Sequence, residues 1–283
     1  TEIVDARCRY PLSALLYVEF DAKSFNGRIP KVSCLLDGLQ MQVPSNYDPV
    51  TRKYVGTWDG TFKYAFTDNA AWVFYAIATN KRFGLGDRLS GLNLDKWELY
   101  KIAQRCDQLV PDGKGGNGKE PRFRFNCYIQ SREQAWNVLK DIAAGFSGMT
   151  YWGNQMLNVV SDMPTDVSQI VTRANVVDGK FIYSSGSAKN HNSTFLVNYS
   201  DPDNHYKDVP TSGVNHEIMR RFPNVSPLEI TAIGCTRESE AQRRGHWALI
   251  SNDVDRQVQF SIGAEGIDFL PGSVIAVADD RLS

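Results

Sequence analysis

Gln42-Val-Pro-Ser-Asn-Tyr47-Asp-Pro-Val-Thr-Arg-Lys-Tyr54-Val-Gly-Thr-Trp58-Asp-Gly-Thr-Phe62-Lys63 is the stretch on which the reading of this chain turns. Turn formers (Pro44, Asn46, Pro49, Gly56, Gly60) alternate with four large aromatics, Tyr47, Tyr54, Trp58 and Phe62. Such a mixture predicts an ordered connection pinned by buried rings, not a free loop. Residues before it read as strand, and most of the next hundred read as helix. The stretch is therefore expected to carry the chain from a first β-rich region into a helical one, with all four rings substantially buried.

Upstream, Leu12 to Phe20 and Val32 to Val43 are dense in apolar residues, and Asp37-Gly38 in the second run predicts a tight hairpin. Downstream, Asp68 or Asn69 can cap a helix to about Thr79, whose run from Trp72 to Ile77 leaves almost no polar face and must be buried. Lys81 to Gly86 breaks it. Asn93 is expected to cap a second helix to about Cys106, with Trp97, Tyr100, Ile102, Ala103 and Cys106 as its apolar positions.

Pro111 to Pro121 reads as a Gly-rich loop, and Phe123 to Ile129 alternates as a strand does. Ser131-Arg132-Glu133-Gln134 spells a capping box before Ala135, Val138, Leu139, Ile142, Ala143 and Phe146, the spacing of a core-facing helix. Met149 to Trp152 and Met156 to Val160 flank Gly153-Asn154 as a hairpin, completing a β-α-β-β unit.

Past Pro164 the texture is β again, with strands expected at Phe181 to Ser184, Thr194 to Ser200, Leu228 to Ile233, Gln257 to Ile262 and Ser273 to Ala278. One helix, from about Thr236 to Asn252, interrupts them. It places Ala241, Gly245, Ala248 and Leu249 on one face, where small residues permit close approach to a sheet; Gly245 there costs about 1 kcal/mol relative to Ala. The expected fold is α+β in three segments: a first β-rich segment at 1–66, an inserted helical and α+β region at 67–165, and a second β-rich segment at 166–283.

The 283 residues hold 31 Lys and Arg against 32 Asp and Glu, a net charge of -1, so no overall basic field points to nucleic acid or an anionic membrane. With 42% hydrophobic residues, disorder is excluded as the general state. Cys8, Cys34, Cys106, Cys127 and Cys235 are scattered and odd in number, the pattern of reduced, buried thiols and not of a disulfide framework or zinc site. No apolar run approaches the roughly 18 residues of a membrane helix, and no signal-peptide pattern is read. Thr1 directly before an apolar-rich segment leads to the expectation of a piece of a longer polypeptide.

Motifs for chemistry fall short one by one. Gly113-Lys-Gly-Gly-Asn-Gly118-Lys119-Glu120 nearly spells a phosphate-binding loop, but Glu120 stands where a Ser or Thr must hold magnesium and no helix follows. It is expected to be a solvated loop. Asp201-Pro202-Asp203-Asn204-His205 lacks the Gly and Glu of a calcium loop and reads as a turn, and Asp279 and Asp280 point to opposite faces of a strand end.

His191, His205, His216 and His246 share no arrangement with a nucleophile, and neither a Gly-x-Ser-x-Gly elbow nor a His-Glu-x-x-His motif occurs. Arg237, Arg243 and Arg244 are expected to form a solvated basic face, as are Arg220 and Arg221, and the pairs Trp58 with Phe62 and Tyr151 with Trp152 to fill core. No catalytic, cofactor-binding or metal-binding residue is assigned. Carboxylate pairs of glycosidases come from distant positions, so a tail-associated cell-wall glycan hydrolase stays as the alternative.

Taken together, Gln42 to Tyr47, Gly56 to Lys63, Arg82-Phe83-Gly84-Leu85-Gly86, Asp95-Lys96-Trp97, Cys106-Asp107-Gln108, Val110 to Gly113, Phe260 to Gly266 and Pro271-Gly272 resemble the tail tip attachment protein J family of lambda-like bacteriophages and prophages. The resemblance spans essentially the whole chain. It implies an internal hub segment of a virion tail tip, with barrel-like β tube domains and an inserted α+β region. It also implies a non-enzymatic role, a homotrimer at the distal end of the tail tube, contacts with other tail tip, tail tube and tape measure proteins, and transient passage of phage DNA. Host attachment belongs, in that family, to regions absent from this chain. Near-neutral charge suits a tube wall past which DNA slides without being gripped.

Overall fold

The computed structural model describes residues 13–89, 94–129, 134–187, 190–222 and 226–279. They fall into two units, one up to Gly38 and one from Leu39 onward.

In the first unit the described residues contain a 3-10 turn, Ala22–Phe25, and no strand. Lys23 N–H donates to Asp21 Oδ1 at 2.9 Å and the Phe20 and Phe25 rings meet edge to face at 5.8 Å. The strand expected at Leu12 to Phe20 and the Asp37-Gly38 hairpin do not form, and of the run Val32 to Val43 only its end, from Gln40, becomes a strand; Leu12 lies outside the described residues. Leu15, Leu16, Tyr17, Leu35 and Leu36 are all exposed. Apolar and aromatic residues favour a strand only where a ladder partner and a covering layer exist, and a lone two-stranded hairpin is marginal in water.

The second unit begins with β1 (Gln40–Pro44), β2 (Tyr47–Asp48), β3 (Lys53–Tyr54) and β4 (Phe62–Phe66). β1 pairs antiparallel with β4, Gln40 opposite Phe66 and Pro44 opposite Phe62, and β2 pairs with β3 inside that loop. Gln42 to Lys63 is thus a hairpin nested within a hairpin that returns to its start, where the sequence suggested a one-way crossing. Its rings are pinned as expected. Tyr47 and Trp58 are buried, while Tyr54 and Phe62 are half-buried and packed on the same core.

That core is closed by α1 (Ala70–Thr79) and α2 (Lys96–Asp107). Asn69 caps α1 by accepting the Ala71 N–H, and six of its ten residues are buried, including Trp72, Phe74 and Tyr75. Asp95 caps α2, accepting from Trp97 and Glu98 N–H; Asn93 lies outside the described residues. Leu99, Ile102, Ala103 and Cys106 face inward, whereas Trp97 is half-exposed. Trp58 stacks on Tyr100 at 4.9 Å, and Lys96 Nζ sits 5.6 Å from the Trp58 ring and 5.3 Å from Trp97.

β5 (Leu109–Pro111) and β6 (Lys119–Pro121) frame the Gly-rich loop. Residues 123–129 form no strand: Phe125 N–H donates to Asp68 O and Asn126 N–H to Gly234 O, two different segments instead of one ladder. α3 (Ala135–Ala144) follows, with Leu139, Ile142 and Ala143 buried; Gln134 at its cap makes no side-chain bond, and residues 131–133 of the expected capping box lie outside the described residues. β7 (Gly148–Gly153) and β8 (Met156–Ser161) form the expected hairpin. Its turn residues, Asn154 and Gln155, both have positive φ, 54° and 59°, as a two-residue turn matching strand twist requires.

The remaining elements are β9 (Gln169–Thr172), β10 (Ile182–Ser184), β11 (Thr194–Asp201), β12 (Lys207–Val214), α4 (His216–Arg221), β13 (Leu228–Thr231), α5 (Glu238–Asp253), β14 (Gln257–Gln259) and β15 (Ile275–Ala278). β11 is the centre of a three-stranded sheet, antiparallel to β12 and parallel to β13. α5 covers that sheet, burying Ala241 and Leu249 against Phe195, Val197 and Ile218. β10 pairs antiparallel with β14, and β9 parallel with β15.

Phe195 explains Gly245: a Cβ there would sit 2.3 Å from the ring, and one on Gly213 of β12 would sit 2.4 Å from its tip. Both elements come as close as they do because neither carries a side chain at the contact. The class is α+β, with sheets of two or three strands among the described residues.

Candidate functional site

Among the described residues, nine charged side chains meet along one seam, Arg52, Asp68, Asp107, Glu120, Arg124, Arg237, Glu240, Arg243 and Arg244. α1 begins and α2 ends at the same place, which sets Asp68, Asn69 and Asp107 side by side, and Arg52, at the β2–β3 turn with φ 54°, enters between them. Its Nη1 donates to Asp107 Oδ1 at 2.8 Å and its Nη2 to Asp68 Oδ1. Tyr54 Oη and Asn69 Nδ2 donate to Asp107 Oδ2 at 3.0 and 2.7 Å. Burial, then the Asp107 charge, drives the Tyr54 phenol far above its usual range, so it stays a donor. Although burial opposes it, Asp68 and Asp107 hold the Arg52 guanidinium above its ordinary range.

Arg124 carries the seam onward, its Nε 3.4 Å from Asp68 Oδ2 and its backbone N–H 3.2 Å from Glu240 Oε2. Glu240, in the first turn of α5, is fully buried and accepts from Arg237 Nη2 at 2.7 Å and Arg244 Nη2 at 2.6 Å. Glu120 of β6 accepts from Arg243 Nη1 at 2.6 Å and Ser239 Oγ at 2.7 Å, with Arg237 Nη1 at 2.9 Å. Against its partial burial, the Ser239 hydroxyl and the Arg243 and Arg237 charges hold the Glu120 carboxyl below the usual range. Arg237 and Arg243 also donate to the carbonyls of Pro121 and Arg122.

The basic face of α5 is therefore seated on residues 120–124, correcting the expected solvated face. A guanidinium fork needs carboxylates at fixed spacing; Glu240 supplies one from within α5, and Glu120 supplies the other from more than a hundred residues upstream. Glu120, the residue that spoils the phosphate-loop reading, is the acid through which β6 holds Arg237 and Arg243 at the start of α5. Residues 112–118 are the solvated loop expected, with Gly113, Gly115 and Gly116 at positive φ and Lys114 N–H donating to Asp112.

A second cluster surrounds His191, which is buried. Its Nδ1 lies 3.6 Å from Asp253 Oδ1 and its Nε2 3.3 Å from Asp255 Oδ2, and its ring stacks on Phe222 at 4.2 Å. Arg221 Nη2 donates to Asp253 Oδ2 at 2.5 Å, Gly186 N–H to Asp255 at 2.8 Å. With a carboxylate at each ring nitrogen, His191 is a clasp between the 186–192 segment and the end of α5. The two aspartates stand some sixty residues from the histidine, and no local spacing announces them.

The other residues singled out from the sequence stay apart. Asp201 accepts Asp203 N–H in a turn whose last residue, His205, is left-handed at φ 54°; His246 meets the Phe195 ring edge-on at 5.0 Å. Asp279 accepts from Tyr183 Oη at 3.0 Å and lies 3.4 Å from Arg173; Asp280 lies outside the described residues. Trp58 and Phe62 are core partners, but Trp152 is exposed, because neighbours on a strand face opposite ways.

Cys106 and Cys235 are buried, burial pushing the Cys235 thiol up to about 11, whereas Cys34 and Cys127 are exposed, contrary to expectation; Cys8 lies outside the described residues. Among the described residues no group of three or more His, Cys, Asp or Glu could hold a metal ion, and no helix is long and apolar enough to cross a membrane.

Fold and seam define an α+β scaffold whose buried acids are committed to arginines that join its parts. A family model described as "Putative phage tail protein" matches residues 134–283, and the chain belongs to that family. It is 58% identical over 284 residues to the Tip attachment protein J of Escherichia phage SECphi4, covering 100% of this chain and 25% of that protein. With the Tip attachment protein J of Escherichia phage SECphi27 it shares 44% over 279 residues, 99% of this chain and 23% of the relative.

The chain thus spans about a quarter of the length of these curated relatives. A 43 kDa tail protein of prophage MuSo2 from Shewanella oneidensis aligns with 16% identity over 56% of this chain and 48% of its own, at a TM-score of 0.39, too low to bear on fold or function. The chain is a phage tail component, and the family resemblance read from its residues agrees with its relatives.

Proposed function

We propose that this chain is a structural, non-enzymatic segment of the hub at the tail tip, forming part of the distal end of the tail tube. In the full-length protein, three copies surround the tube end, meet tail tube, tail tip and tape measure proteins, and let phage DNA pass; host attachment is served by regions outside this chain. The hairpins of residues 40–66 and the strands of 166–283 belong, in this reading, to barrel-like wall segments, and 67–165 is the insert. The observation that carries the reading is the match along the whole chain to two phage proteins called Tip attachment protein J.

Two features support it. The seam fixes the 120–124 segment to α5 by half-buried ion pairs, as a load-transmitting part requires, and the net charge of -1 offers passing DNA no overall attraction. Particles carrying a label on this segment, imaged by electron microscopy, are expected to show it at the tail tip. A label along the tail shaft or on the capsid overturns the reading. Release of fragments from cell-wall polysaccharide by the purified chain overturns its non-enzymatic part.

A further inference from the structure

β13 ends its sheet: among the described residues the order is β12, β11, β13, and only β11 pairs with it. Its other edge presents backbone N–H and C=O groups to a further strand. The end of β13 and the residues after it, with the end of α3 and the flank of α5, line a half-open cavity of about 140 Å³. Ile230, Ile233, Ala144, Gly145, Trp247 and Ala248 make its wall mostly apolar, and Ile233 and Trp247 are each 41% exposed. An apolar cavity of about 150 Å³ holds one benzene-sized group, so this one has room for a single large apolar side chain. Edge strand and pocket together are what a strand-adding peptide uses: the ladder gives affinity, and pockets for alternate side chains give specificity.

The same chain carries a strand sequence without a sheet. In Leu15 to Phe20, a pleat would put Leu16, Val18 and Phe20 on one side and Leu15, Tyr17 and Glu19 on the other. Among the described residues this run makes no ladder, and Leu15, Leu16 and Tyr17 are 74%, 66% and 82% exposed. Apolar residues on both sides of a pleat suit a strand that is covered, and in water their burial energy is forfeited.

We infer that Leu15 to Phe20 of one copy adds as a strand to the outer edge of β13 in a second copy. Leu16, Val18 and Phe20 turn to the apolar wall, one of them enters the cavity, and Glu19 stays in water. A second copy is the occupant because the run that needs an edge and the edge that needs a run belong to one sequence, and the single chain joins neither. The two patches differ, so the contact is heterologous, and it closes as a ring or as a reciprocal pair. The inference does not rest on the hub reading, since it concerns what the isolated chain does in solution.

The test is complementation, read by sedimentation velocity of the whole chain over a range of concentrations. The parent is expected to associate as concentration rises. Leu16→Glu with Val18→Glu removes the apolar face of the run, and Ala144→Trp fills the cavity from an exposed position. Each variant alone is expected to stay monomeric and to melt as the parent does, because the altered residues are exposed. Mixed, they are expected to form a 1:1 dimer of twice the monomer mass, since one supplies the cavity and the other the run. If Ala144→Trp melts below the parent, Ile233→Glu at the exposed rim takes its place.

A parent that stays monomeric up to its solubility limit overturns the inference. So does association that persists undiminished in both variants. Variants that each lose association but do not combine when mixed show that run and cavity do not meet between copies, and overturn the choice of occupant.

Discussion

Replacing Gly245 by Ala tests the packing argument directly, because propensity and packing predict opposite signs. In the middle of α5 the substitution gains about 1 kcal/mol of helix propensity. The added methyl, however, would lie 2.3 Å from Phe195 Cδ2 and 2.4 Å from Cε2, well inside contact distance. Phe195 is 1% exposed, its tip is confined by the glycine backbone at 213 and His246 meets it at 5.0 Å. Overpacking a core costs about 1–3 kcal/mol, and confinement on these sides places this site near the upper end.

The net expectation is destabilisation by about 2 kcal/mol, or a fall in Tm of roughly 4–8 °C for a unit of this size. Urea unfolding followed by tryptophan fluorescence reads it, with an unchanged denaturant slope showing that only stability moved. Phe195→Leu in the Gly245→Ala background should recover at least about 1 kcal/mol as coupling between touching residues. If Gly245→Ala is as stable as the parent or more so, close approach is not why glycine stands there and the account of the α5–sheet contact fails.

Glu240→Gln leaves Arg237 and Arg244 facing a neutral amide and is expected to cost about 3–5 kcal/mol in the same unfolding assay, whereas Glu240→Met with Arg244→Met should recover much of it. Tyr54→Phe removes a donor to Asp107 and an acceptor from Trp72 Nε1, and a loss of about 1–3 kcal/mol is expected, measured by chemical denaturation. The Glu120 carboxyl is depressed in the folded state, so its stabilisation is complete above its unfolded pKa of about 4.3 and is lost as pH falls through the lower folded value. Melting curves from pH 6 to pH 3 should therefore fall more steeply for the parent than for Glu120→Gln; parallel curves would contradict the pairing with Arg243 and Ser239.

The sequence disclosed elements wherever the signal was local. The all-apolar run of α1, the cap at Asn69, the i, i+3, i+4 spacing of α3 and the turn beside Gly153 are properties of a few neighbouring residues, and the structure has them. β12 was not legible, because Pro210 and Gly213 lower strand propensity and its pairing with β11 overrides them. β9 is four residues long, too short for a period to register. Leu15 to Phe20 misled in the other direction: apolar enough for a strand, it has no ladder partner among the described residues.

The seam was hidden for a different reason. Arg237, Arg243 and Arg244 look like any solvated face until Glu120 and Glu240 are known to lie against them, and one of those acids is more than a hundred residues upstream. His191 likewise showed no sign of Asp253 and Asp255. The family assignment came from residues such as Gln42 to Tyr47 and Phe260 to Gly266, whose wording is specific even where their chemistry is not.

The parallel pairing of β9 with β15, Gln169 opposite Ile275 and Thr172 opposite Ala278, has a consequence in time. About a hundred residues separate the two strands, so joining them costs on the order of 4 kcal/mol of loop-closure entropy. During translation at about 5–20 residues per second, β9 leaves the ribosome some 5–20 seconds before β15 exists. In that interval Phe195 can already settle under α5 and Tyr183 can meet β14, so β9 waits unpaired while the elements between the two strands assemble.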